Sequence, residues 1–174
     1  MTFWIQTGNP ALQDADDEIA QDMSDALVSV YPDDTEYLVL SWNRVPVIVS
    51  YCDDLRYFLY QIVELLEKLQ STEFTQAELT TGAADFFAEW WIRLDGEDLV
   101  IVSRWRNIVG GYEFLLNERG TLTVARAEFV AEWLKVIRRV VTDITAKSVR
   151  MEDDDLFVRA KALLAGTDDV TSGA

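Results

Sequence analysis

Residues 84–107 read ADFFAEWWIRLDGEDLVIVSRWRN. Two apolar-polar alternations meet at Asp95-Gly96, a dipeptide that strongly signals a two-residue hairpin turn. The period of two predicts strands over 84–94 and 97–107, in a register that sets Leu94 opposite Glu97, Ile92 opposite Leu99, Trp90 opposite Ile101 and Phe86 opposite Trp105. One face of this ribbon is then almost wholly apolar. The other is mixed, with Phe87, Glu89, Trp91 and Arg93 against Asp98, Val100, Val102, Arg104 and Arg106. A sheet with one apolar face buries it against another layer, and the flanking sequence supplies helices.

Upstream, the stretch 53–70 carries Leu55, Phe58, Leu59, Ile62, Leu65, Leu66 and Leu69 on one helical stripe, with Ser50 and Asp53 spaced as a capping box at its start. Its outward side holds Tyr57, Tyr60, Glu64 and Glu67. Downstream, 126–146 points Phe129, Val130, Trp133, Leu134, Ile137, Val140, Val141 and Ile144 inward, and Glu128, Glu132, Lys135, Arg139 and Asp143 outward.

Shorter elements complete the pattern. A first strand is expected over 3–6, followed by a break at Gly8, Asn9 and Pro10. Asp14 reads as the cap of a helix over 14–30, with Ile19, Met23, Ala26, Leu27 and Val30 inward and Asp14, Asp17, Glu18, Asp22 and Asp25 outward. Strands over 37–42 and 45–51 join at Asn43-Arg44, with Pro46 confined to an edge. Further strands are predicted over 73–79, over 112–116 after Gly110-Gly111, and over 121–124. Glu152, Asp153, Asp154 and Asp155 read as the start of a short helix over 156–165 that Gly166 ends, acids there complementing the helix dipole. The expectation is an α+β fold in one domain over 1–166, with a disordered tail over 167–174. A mainly antiparallel sheet of about five to seven strands packs on two long helices, joined by an acidic N-terminal helix and a short C-terminal one.

The charge is uneven. The chain has 31 Asp and Glu against 15 Lys and Arg, no histidine, and a net charge of −16. Residues 1–70 hold 13 acids and 3 bases, residues 71–150 hold 12 and 10, and the first 36 residues hold nine acids and no base. Such a field repels nucleic acid and anionic membrane and attracts basic partners. The single cysteine, Cys52, forbids an intrachain disulfide and suits a reducing compartment. MTFWIQTGNP carries neither a basic leader nor an apolar run, and no window approaches the ~20 apolar residues of a membrane-spanning helix. A cytoplasmic location without membrane contact is expected.

Residue types also bound the chemistry. Without histidine the commonest general base and most zinc arrangements are missing, and a lone cysteine does not replace them. No Gly-rich fingerprint, P-loop or EF-hand spacing occurs, so neither a nucleotide cofactor nor a metal is expected. Cys52 reads as a small buried residue at a strand-helix junction. Among the six tryptophans, Trp91 is the best placed to meet a partner, with Trp42 and Trp4 behind it.

The segments YLVLSWNRVPVIVSYCDDLRYFLYQIVELLEKL and LTVARAEFVAEWLKVIRRVV, in the order strand, hairpin, helix, strands, helix, resemble in layout the bacterial immunity proteins of polymorphic-toxin and contact-dependent inhibition systems, over roughly residues 37–145. The resemblance implies a small non-catalytic cytoplasmic protein that neutralises a cognate toxin, often a nuclease, by occluding its active site; it transfers no functional residue. From charge and exposure, the residues expected to meet such a basic partner are Asp14, Asp17, Glu18, Asp22, Asp25, Asp33, Asp34, Glu36, Tyr57, Tyr60 and Trp91. The alternatives are an acidic nucleic-acid mimic of the anti-restriction or anti-CRISPR kind, and a carboxylate-based, divalent-metal-dependent hydrolase. A mimic needs its acids in regular rows, whereas here they concentrate in the first 36 residues.

Overall fold

A short apolar strand, Phe3–Gln6 (β1), opens a computed structural model that describes residues 2–14, 19–33, 35–83 and 85–171, with the backbone alone for 167–171. The remaining elements are Met23–Val30 (α1), Leu38–Trp42 (β2), Val45–Val49 (β3), a π-helical turn Tyr51–Leu55 running into Arg56–Gln70 (α2), Gln76–Thr80 (β4), Phe86–Asp95 (β5), Asp98–Ile108 (β6), Glu113–Glu118 (α3), Thr121–Ala125 (β7), Arg126–Ala146 (α4) and Asp155–Thr171 (α5). The fold is α+β. Its strands form two antiparallel sheets, β1-β2-β3 and β4-β5-β6-β7, rather than one.

The decisive hairpin forms with its turn moved along by one residue. Asp95 pairs with Asp98, so the loop is Gly96-Glu97, with Gly96 at φ +63° in the first central position, where a type II′ turn places glycine. Every facing pair therefore shifts by two: Leu94 meets Leu99, Ile92 meets Ile101 and Trp90 meets Ser103. A shift of two keeps each side chain on its face, so the buried set survives the change of partner. A bulge opposite Phe87 and Ala88 leaves Arg106 as the extra residue of β6, which brings Phe86 opposite Ile108. In the other sheet, Asn43 (φ 49°) and Arg44 (φ 68°) form the turn, matching a type I′ loop, and Pro46 sits on edge strand β3.

The two sheets and the helices meet in aromatic contacts. Trp42 stacks on Trp90 with centroids 4.8 Å apart and lies edge-on to Trp105 at 5.4 Å. Phe58 of α2 stacks on Phe86 at 4.9 Å, and Phe3 stacks on Phe129 of α4 at 4.9 Å. Trp42 is thus a core residue and not a partner contact. At the sheet ends, Asn43 Nδ2 donates to the carbonyls of Arg119 and Thr121, and the Tyr112 hydroxyl donates to the Pro46 carbonyl, pinning the β2-β3 hairpin beside β7.

Four further expectations change. The apolar run over 112–116 becomes part of α3, because a run that short cannot be told from helix by periodicity. Asn117 then supplies what a strand would have: it accepts from the Trp105 N–H at 2.8 Å and donates to its carbonyl at 2.9 Å. The helix expected from Asp14 begins at Met23, capped by Asp22, whose Oδ1 accepts from the Ser24 and Asp25 amides. Helix α5 passes Gly166 and reaches Thr171.

The fourth change is the burial of Glu132 and Asp143, both expected outward. Glu132 accepts the backbone N–H of Ile5 at 2.7 Å while Lys135 pairs with its other oxygen. Asp143 accepts from the Tyr31 hydroxyl at 2.8 Å and from Arg139 at 2.7 Å. A buried carboxylate survives where donors satisfy it, and these two tie α4 to β1 and to the end of α1. Burial and the Asp143 charge push the Tyr31 hydroxyl far above its ordinary range.

Replacing Trp42 by Ala removes the indole that touches both sheets. A loss of about 3–5 kcal/mol is expected, read as a lower urea midpoint with the fold otherwise two-state.

Candidate partner-binding face

Helix α1 presents Met23, Ala26, Leu27 and Val30 to the core and leaves Asp22, Asp25 and half-exposed Val28 outside. The backbone before it is held by a short parallel bridge. Ala20 donates to the Arg150 carbonyl at 3.0 Å, Glu152 donates to the Ala20 carbonyl at 2.9 Å, and Asp153 donates to the Gln21 carbonyl at 2.9 Å. This bridge sets the run Glu152, Asp153, Asp154, Asp155 directly beside Asp22. The run does start a helix, as expected, with Asp153 accepting from the Asp155 amide at 3.0 Å. It is also half of an anionic ledge, completed by Asp22 and Asp25 from the other end of the chain.

Apolar surface adjoins the ledge. Ile19, expected inward, is 49% exposed, because the helix that would have turned it to the core begins four residues later. With Ala20, Asp25, Val28, Ser29 and Arg56 it lines a hollow of about 220 Å³ between α1 and α2. The Arg56 guanidinium lies 4.8 Å from the centre of the Tyr57 ring, and its buried Nε has no hydrogen-bond partner among the described residues. Tyr57 is 53% exposed beside it.

The other expected contact residues divide by role. Asp14 bonds to Lys147 at 2.8 Å, which holds its carboxyl below the usual range. Glu36 accepts from the Asn9 amide at 2.9 Å. Tyr60 lies under the Arg159 guanidinium, which grips Glu67 through two bonds of 2.9 and 2.6 Å and lowers that carboxyl, so Tyr60 joins a clamp between α2 and α5. Trp91 lies on the outer face of the four-stranded sheet, away from the helices that cover its inner face. Asp17, Glu18 and Asp34 lie outside the described residues. Of the expected set, the structure brings Asp22, Asp25 and Tyr57 onto one face.

Next to this face, Asp33, Cys52 and Asp53 place one potential ligand atom each within 4.8 Å of one another. Cys52 is buried, as expected, with Sγ 3.8 Å from an Asp33 oxygen, and burial pushes its thiol up. A metal needs the thiolate, which this environment disfavours. Asp54, the next residue of the π-helical turn, is only 2% exposed. One oxygen accepts from the Ser50 amide at 2.9 Å, and the Ser50 and Asp85 backbone groups offset part of the cost of burial. Burial pushes its carboxyl up from 3.8 to about 6.

No family model, curated protein or solved structure matches the chain. The ledge itself escaped the sequence, where its halves stand about 130 residues apart and the bridge at Ala20 and Met151 has no local signature. The half-exposure of Ile19 was hidden by a helical stripe that extends past the real helix.

Folded Asp54 holds its proton more tightly than the unfolded chain does. Stability therefore falls as pH rises from about 4 to about 6, and the deficit persists at neutral pH. Asp54→Asn removes the charge and keeps an acceptor for Ser50. It is expected to stabilise the protein at pH 7.5 by on the order of 2 kcal/mol and by little at pH 4, in urea titrations across that range.

Proposed function

We propose that this chain is a non-catalytic cytoplasmic protein that binds and neutralises a basic protein partner, in the manner of an immunity protein that occludes the active site of a toxin. The observation that carries this reading is the ledge. Five exposed carboxylates and the half-buried Asp25, from two distant segments, border a hollow of mixed polar and apolar lining and an exposed tyrosine. Clustered charge of one sign accelerates the encounter with a partner of the other sign by ~10 to 10³-fold. Aromatic and aliphatic surface next to it supplies contacts that exclude water once the partner arrives.

The distribution of charge favours this over mimicry of a nucleic acid. Phosphates run in regular rows, whereas the ledge gathers its acids where α1 and α5 begin. Asp14, Glu36 and Glu67 are engaged within the chain.

The test uses the product of the gene adjacent to this one, co-expressed and then separated. Association rates are compared between the natural chain and the variant D22N/D25N/D153N/D155N, in which asparagine preserves both caps. At low salt the variant is expected to associate at least ~10-fold more slowly, with the difference closing near 0.3 M salt as screening takes over. Equal rates at low salt would show the ledge to be solvation only. A neighbouring product that is neither basic nor bound would remove the immunity reading.

A further inference from the structure

The outer face of β4-β5-β6-β7 is a second surface, different in chemistry from the ledge. At its centre Trp91 (40% exposed) stands opposite Val102 (47% exposed), and with Gln76, Glu78, Arg93 and Val100 they line an open hollow of about 500 Å³. Four carboxylates (Glu78, Glu89, Asp95, Asp98) meet three guanidiniums (Arg93, Arg104, Arg106) on this face. On a chain of −16, a face this close to neutral is where a second copy approaches with least repulsion.

The pairing within the face is incomplete in a regular way. Arg93 pairs with Asp95 at 3.3 Å and Arg106 with Glu89 at 3.0 Å. Asp98 and Arg104 have no ion pair among the described residues. Both are exposed, and six residues of strand hold them roughly 20 Å apart, so they cannot reach each other within one chain. The outward row of β6 therefore reads acid, apolar, apolar, base: Asp98, Val100, Val102, Arg104. Such a row is complementary to itself when reversed.

We infer that this face docks onto a second copy of the same chain, sheet against sheet, about a two-fold axis crossing β6 at Ile101. The axis sets Val100 over the second copy's Val102 and Asp98 over its Arg104, twice by symmetry. Sheets packed this way lie about 10 Å apart, with side chains filling the space between. Four strands spaced ~4.8 Å apart, two of them long and two of five residues, cover roughly 500 Å² per copy. That total of roughly 1,000 Å² is the size of a weak, reversible contact rather than a permanent one. The ledge stays free in such a dimer, since the helices lie on the inner side of the sheet.

Sedimentation equilibrium from about 1 μM to about 1 mM at 0.15 M salt tests this. The natural chain is expected to show a monomer-dimer equilibrium. Asp98→Arg and Arg104→Asp are each expected to weaken it at least ~10-fold by setting like charges face to face. An equimolar mixture of the two variants restores association, because each copy then supplies what the other lacks. The double variant, with the row reversed, also dimerises. Far-UV circular dichroism and thermal melting establish that each variant is folded. A natural chain that stays monomeric to 1 mM overturns the proposal. So does a mixture no more associated than its components, which would place any dimer on another face.

Discussion

The stacked indoles of Trp42 and Trp90 are the contact on which the rest of this structure depends. They join two sheets that share no hydrogen bond between strands, and around them Phe58, Phe86, Trp105 and Trp133 connect both sheets to α2 and α4. Large aromatic surfaces hold such a junction well, because each buries ~150–250 Å² and stacks with geometric preference. The arrangement has a cost. The buried indole N–H groups of Trp42, Trp90 and Trp133 meet no acceptor among the described residues, whereas that of Trp105 donates to Ser103.

A core held this way frees the surface acids from structural duty unevenly. Glu132 and Asp143 are drawn inside and tie α4 to β1 and Tyr31. Asp14, Glu36 and Glu67 fasten loops and helices at the surface. Asp22 and Asp153 cap chain segments and still project their charge outward. The excess that remains is spatially organised: an anionic ledge on the helical side, and a nearly neutral, aromatic-centred sheet face on the other. The two faces differ enough in charge to suit different occupants.

Much of this was legible in the alternation of apolar residues. The β5-β6 hairpin, the α2 and α4 stripes, the β2-β3 turn and the burial of Cys52 follow from local periodicity and turn chemistry. The register of β5 on β6 was displaced by two, yet the same residues are buried, since a period of two is insensitive to an even shift. Failures fell where a local pattern had two solutions. The short apolar run near Leu115 formed a helix, and Glu132, charged amid an amphipathic stripe, turned inward because an N–H of β1 awaited it.

The amino-acid sequence by itself determined the α+β class, the core-facing residues of the long elements and the acidic excess, because each is carried by neighbours within a few positions. Only tertiary structure decided which carboxylates are spent inside, which stand free, and that Asp22 and Asp25 share a ledge with Glu152, Asp153, Asp154 and Asp155. That juxtaposition rests on three backbone hydrogen bonds between segments about 130 residues apart. Backbone amides and carbonyls are the same in every residue, so no side chain in either segment announces the partner that the fold brings to it.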